Sequence, residues 1–354
     1  MAAADTPRPA RAPGAADTPR GAAAARRDRR SERSTSGGWR TIAAKELADH
    51  LGSVRFIVLL LVVGVAAVVP LYFTSTAISS SAPQLAGQPA LFLWLFTQGS
   101  KDVGGITTVA FAALFVPIVG IAFGFDAVNS ERSQGTLSRL LAQPIHRDDV
   151  VNGKFAAGIT VIALMLAALV LLITALGIVR LGIIPSGEEL ARVAAWLLAT
   201  ILYAAFWLAF ALLLSVVIRG AASAALVGFG TWLALTLFGA FLLPVLANTL
   251  FPPNTTGTAN DFFASTTAQQ LFLRISPATL YQDIVTAVMD PSARSVLGVG
   301  NLGQYVSVQQ QVPGLLSLDQ SVLIVWPQVV AMVALTVAMF ALAYVLFLRQ
   351  EVRA

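Results

Sequence analysis

The chain has 354 residues, of which 56% are hydrophobic and 12% charged, with a formal charge of +5. Soluble globular domains carry roughly 25% charged residues, so this chain cannot hide its apolar surface by folding in water. Cysteine is absent, which excludes disulfides and thiolate metal sites, and 11 of the 23 Lys and Arg residues precede the first apolar run, which argues for basic flanks of a membrane rather than a nucleic-acid surface.

Residues 1–38 are Ala, Pro, Arg, Asp and Ser without apolar periodicity, and include Arg26-Arg27-Asp28-Arg29-Arg30. They predict a disordered basic cytoplasmic tail, with attraction to anionic lipid headgroups as the functional alternative. From Trp39 to Val54, the residues Trp39, Ala43, Leu47, His50 and Val54 recur near the helical period while Arg40, Lys45, Glu46 and Asp49 point elsewhere. That pattern predicts an amphipathic helix lying at the interface. With His146 as the only other histidine, a metal site is not expected.

Six apolar runs, at 56–76, 106–128, 155–179, 194–217, 222–247 and 325–348, are each long enough to cross a hydrocarbon core of roughly 30 Å as helices. The fold class is therefore an all-α polytopic membrane protein of six spans. Residues 90–97 are apolar but too short to cross, and predict an interfacial or re-entrant piece. Arg40, Lys45, Arg55, Arg132, Arg139, Arg147, Lys154, Arg219, Arg349 and Arg353 fall on one side of a six-span layout, against Lys101, Arg180 and Arg192 on the other. By the positive-inside rule both termini are cytoplasmic. Trp94, Trp196 and Trp326 then sit near the outer interface as an aromatic belt.

Between the fifth and sixth spans lies an outer loop, 251–323, which opens on Pro252-Pro253-Asn254 and predicts short helices at 268–273 and 278–289, broken by Ser276-Pro277. The span interiors are essentially free of ionisable residues, which disfavours a carrier driven by an ion gradient. Asp126, at the inner end of the second span, reads as a pairing or capping group. Gly120-x-x-x-Gly124 permits close backbone approach, either to a second copy or within the bundle. Thr160, Thr174, Tyr203, Thr231 and Thr236 are the polar positions that could line a path, although such residues mostly bond their own helix backbone.

The residues between the second and third spans, 129–153, form the charged, motif-like segment framed by membrane. Ser130 or Thr136 can cap a helix, Gly135 permits a sharp turn, Leu137, Leu140 and Leu141 share one helical side, and Pro144 ends the run. Such an apolar ridge could insert into a groove on a partner, or pack against the inner ends of its own spans. Gly153-Lys154 cannot be the end of a phosphate-binding loop. Asp148 stands where that loop needs its first glycine, and Phe155 where it needs Ser or Thr. No fuel site is present in the chain, so work must arrive from another subunit.

The run Asn129-Ser130-Glu131-Arg132, Gly135-Thr136-Leu137, Leu140-Leu141, Pro144, Arg147 and Gly153-Lys154, together with Lys45-Glu46-Leu47, resembles the signature of the type-2 class of ABC transporter permeases. The branch it looks most like serves multi-copper enzyme maturation, and includes the permease for nitrous-oxide reductase. This resemblance, over 39–354, implies a permease membrane domain without enzymatic activity of its own, in the plasma membrane, paired with two copies of a cytoplasmic ABC ATPase and with a second permease copy. ATP and Mg would be bound by the ATPase, and none of this chain's residues would hold a cofactor. It implies ATPase-coupling contacts at Glu131, Arg132, Gly135, Thr136, Leu137, Leu140, Leu141, Pro144 and Arg147, with Lys154 anchoring the third span. The outer loop has no His or Cys and only Met289 as a soft ligand, so the resemblance does not extend to copper handling. An exporter permease is the first expectation, and a membrane scaffold or mechanical relay that moves no solute is the alternative.

Overall fold

The computed structural model describes residues 38–81, 90–101, 104–135, 146–254, 257–292 and 315–349. Six of its helices are long and apolar enough to cross a membrane: Val54–Ser80, Thr108–Ser133, Arg147–Leu181, Gly187–Val217, Ala221–Leu250 and Leu318–Arg349. Every span expected from hydropathy is present, and no strand occurs among the described residues. In hydrocarbon, backbone polar groups must be satisfied within the segment, and helices do this residue by residue.

Helix α1 (Gly38–Leu51) precedes the first span, α2 (Val54–Ser80). Ser53 separates them, its Oγ accepting from Phe56 N at 3.2 Å to start α2. A short 3-10 turn, Leu91–Leu93, leads into α3 (Trp94–Thr97), and α4 (Thr108–Gly124) with α5 (Asn129–Ser133) forms the second span. The third and fourth spans are α6 (Arg147–Leu181) and α7 (Gly187–Val217). The fifth is α8 (Ala221–Leu233), a π-helical segment (Ala234–Phe238) and α9 (Gly239–Leu250). Then come α10 (Ala259–Leu273), α11 (Pro277–Met289) and the last span, α12 (Leu318–Arg349).

Several boundaries move from their sequence expectation. Helix α6 begins at Arg147 rather than 155, because Asp149 accepts from His146 N at 3.3 Å and closes the first turn. Helix α7 begins at Gly187 rather than 194, because Ser186 and Glu189 form a reciprocal capping box. A hydropathy window discards such polar first turns although they belong to the helix.

Helix α7 lies at the centre of the bundle, burying Tyr203, Ala204, Trp207, Leu208, Ala209, Ala211 and Leu212 among others. Helix α4 lies directly on it. A Cβ at Gly120 would stand 2.8 Å from Ala204 O, and one at Gly124 2.7 Å from Ala211 Cβ. The two glycines thus serve packing inside one chain, not contact with a second copy.

The 90–97 segment neither crosses nor floats. Phe92, Leu93, Leu95 and Phe96 are fully buried at the end of the bundle where α6 finishes and α7 begins, and Phe92 N donates to Glu189 at 3.0 Å. Trp196 is also buried, donating to Tyr281 Oη at 3.2 Å, so it is a core residue and not part of a lipid-facing belt. Trp326 is exposed. The two short helices expected in the outer segment are present, the first longer than expected at Ala259–Leu273 and the second at Pro277–Met289. Helix α11 is built into the bundle through Leu280, Tyr281, Ile284, Val285, Val288 and Met289, so Met289 is a core side chain and not an accessible metal ligand.

Candidate functional site

At one end of the bundle, termed the inner end, α1 and α5 gather against the start of α6 and the finish of α7. Helix α5 is only five residues long, too short to stand alone in water, and α7 holds it. Ser215 Oγ accepts from Val128 N at 3.0 Å and from Asn129 N at 3.2 Å, satisfying free amides at the start of α5. Arg132 reaches back, both terminal guanidinium nitrogens donating to Val216 O at 3.3 and 3.2 Å. A cation on the last carbonyls of a helix also meets the negative end of its dipole.

Lys154 joins three elements. Its Nζ stands 2.8 Å from Glu131 Oε1 on α5 and 2.9 Å from Glu46 Oε1 on α1, while its own backbone belongs to α6. The lysine side chain is 5% exposed and the two glutamates 15% and 16%. Burying an ammonium costs several kcal/mol unless paired, so each carboxylate is a structural requirement of the lysine. Here two acids share one base.

The preceding residue explains how α1 comes close enough. A Cβ at Gly153 would fall 2.7 Å from Ile42 Cγ2 and 2.9 Å from Trp39 O, and one at Gly38 would overlap the Asp149 carboxylate. The Gly-Lys pair is therefore one device: the glycine lets α1 lie on α6, and the lysine then binds it there. Helix α1 turns Ile42 and Glu46 toward the protein, with Ala43, Leu47 and His50 of the expected stripe half-buried beside them, and leaves Trp39 37% exposed.

Two further contacts steady the inner end. Asp126 takes a bidentate pair from Arg55 at 2.9 and 2.5 Å, and Arg55 also donates to Ala122 O at 3.0 Å, so the pairing role expected of Asp126 ties α2 to α4. His50 packs edge-on against Phe123 at 5.2 Å. Burial, opposed more weakly by Glu46, holds its imidazole pKa below the ordinary value.

Of the positions implied as coupling contacts, the structure brings Glu131, Arg132 and Lys154 into one cluster. Gly135 takes a positive φ of 65° and closes the turn after α5, its N–H donating to Arg132 O at 3.2 Å. Arg147 opens α6. Thr136, Leu137, Leu140, Leu141 and Pro144 lie outside the described residues, as does the basic tail before Gly38. Sequence reasoning missed Glu46, Ser215 and Val216 as members of the cluster. For Glu46 a signal existed, since a lysine at the head of a span needs an acid from elsewhere.

Among the described residues no group of His, Asp and Glu is placed to hold a metal. A small apolar cavity of about 40 Å³ lies between α2, α4, α6 and α7, lined by Val63, Phe115, Leu169, Ile173 and Trp196 among others and by no charged side chain. Thr160 is exposed and bonds Ala156 O of its own helix at 2.7 Å, whereas Tyr203 is buried and stacks on Tyr281.

Comparison with known proteins adds an independent line. A family model described as ABC-2 family transporter protein matches residues 40–352. Over 124 residues the chain is 30% identical to a protein of Pseudomonas aeruginosa described as probable ABC transporter permease protein NosY, covering 35% of this chain and 40% of that one. A protein of Stutzerimonas stutzeri with the same description is 28% identical over 165 residues, covering 43% of this chain and 58% of its own length. The chain thus spans about half the length of the curated relatives it matches.

Proposed function

The chain belongs to the ABC-2 family of transporter proteins, a multi-pass membrane protein of six apolar helices, and we propose that it is the permease subunit of an ATP-driven exporter. In this reading a separate cytoplasmic ATPase, present in two copies, binds ATP and Mg, and a second permease copy completes the assembly in the plasma membrane with both termini in the cytoplasm. The chain itself performs no catalysis. It receives force through the segment between the second and third spans and converts it to movement of the bundle.

The observation that carries this reading is the Lys154 cluster. A docking segment can move spans only if it is fastened to them, and here α5 is fastened to α1 and α6 by one buried ammonium and to α7 by Ser215 and Arg132. A mechanical relay to an outer partner, moving no solute, is favoured by a different observation: α11, from the outer segment, is packed into the bundle and would be carried with it.

Purification from native membranes in mild detergent tests the proposal. An ABC-type ATPase should co-purify in equal amount, and Leu140→Asp with Leu141→Asp should release it while the six spans stay inserted. Retention of the ATPase by that double variant would remove the docking assignment. Hydrolysis without solute movement in sealed vesicles would select the relay over the exporter.

A further inference from the structure

Helix α7 is the one described span with neither a proline nor a glycine beyond its first residue. Pro70, Pro117, Pro244 and Pro327 interrupt α2, α4, α9 and α12, glycines 153, 158 and 177 punctuate α6, and a π-helical segment breaks the fifth span. Those are the places where helices bend. With 31 residues at 1.5 Å each, α7 is a rod of about 46 Å. Its inner end holds α5, as described above.

Its outer end holds α11 and the start of α12 through a second buried cation. Arg192 is 1% exposed. Its Nε and Nη2 donate to Glu188 Oε1 at 3.2 and 3.0 Å, its Nη1 to Val288 O at 2.7 Å and Ser321 Oγ at 3.3 Å, and its Nη2 also to Leu316 O. Val288 O is among the last carbonyls of α11, where a cation meets the helix dipole. Leu316 N in turn donates to Pro291 O at 2.9 Å, so the chain leaving α11 and the chain entering α12 meet at this guanidinium. Farther along α7, Trp196 Nε1 and Thr200 Oγ1 hydrogen-bond Tyr281 Oη at 3.2 and 2.9 Å, and Tyr203 stacks on the Tyr281 ring at 4.4 Å and 9°. A guanidinium used only for packing would be replaceable by an apolar side chain at lower desolvation cost. Arg192 instead spends its donors on three separate pieces of backbone and side chain outside its own helix.

We propose that Arg192 is the positioning residue that fastens α11 to α7, so that α7 acts as a rigid lever carrying movement of α5 at the inner end to α11 at the outer end. The proposal rests on the reading of the chain as an ATP-driven permease subunit.

The absence of cysteine allows the test to be made by single labels. Nitroxides are attached at Val217→Cys, exposed at the inner end of α7, or at Gln282→Cys, exposed on α11, in the complex with its ATPase, with and without Mg-ATP. Both labels should respond to nucleotide in the parent. In Arg192→Met the response at 282 should fall at least about fivefold while that at 217 persists, a size within the range of coupling energies carried by single residues. Tyr281→Phe, which removes two hydrogen bonds and keeps the ring stack, should give an intermediate loss, and it carries the test if Arg192→Met fails to insert. An undiminished response at 282 in both variants overturns the lever, as does a parent in which 217 or 282 is silent while ATP is hydrolysed. Failure to find any bound ATPase would instead overturn the permease reading.

Discussion

Lys154 stabilises the inner end because two carboxylates come to it, and its removal leaves them buried side by side with no cation. Breaking a buried ion pair from one side costs about 3–5 kcal/mol, whereas removing all partners together can be nearly neutral. Lys154→Met should therefore lower the thermal midpoint in detergent and weaken nucleotide-dependent coupling. Adding Glu46→Gln and Glu131→Gln should restore the midpoint without restoring the coupling. A single variant that melts with the parent would show that the cluster does not hold α1 and α5. The lysine and one of its acids were legible in the sequence as members of one motif. The other, Glu46, stood in the separate Lys45-Glu46-Leu47 run on the amphipathic helix with nothing to link it to Lys154, because helical phase shows which residues share a face and not what that face meets.

The existence of each span follows from hydropathy alone, since a long apolar run has no satisfactory alternative in a membrane. Their packing does not. Gly120 and Gly124 fit equally well a contact between copies and one within the bundle, and the α4 contact with Ala204 and Ala211 on α7 decides it. Gly124→Val should thus cost about 1–3 kcal/mol by overpacking, seen as a lower thermal midpoint, and Ala211→Gly should recover part of it. If the glycine variant kept its midpoint and lost only its oligomeric state, the internal assignment would fail. The 90–97 segment and α11 show the same limit. Short apolar stretches are equally consistent with an interface, a re-entrant turn or a buried plug, and only the neighbours that cover them tell these apart.

At the scale of the whole molecule, the proposed orientation sets both chain ends on one side, and the distribution of basic residues supports that side as the cytoplasmic one. Single cysteines in this cysteine-free chain test it directly. Ser133→Cys, exposed at the end of α5, should react with a membrane-impermeant maleimide only after permeabilisation, and Ala259→Cys, exposed at the start of α10, should react in intact cells. The reverse pattern would invert the arrangement and place the docking segment where no cytoplasmic ATPase could reach it.

By itself the amino-acid order determined that this is a six-span helical membrane protein, that it carries no recognisable nucleotide-binding loop, and which segment resembles a docking element. Those properties are local: they depend on runs, spacings and the chemistry of single side chains. Tertiary structure decided which buried charges meet which partners, Lys154 with Glu46 and Glu131 at one end and Arg192 with Val288 O of α11 at the other. Their partners are separated by up to about a hundred residues of chain, and the desolvation cost that makes such pairings obligatory arises only once the helices between them have closed out the water.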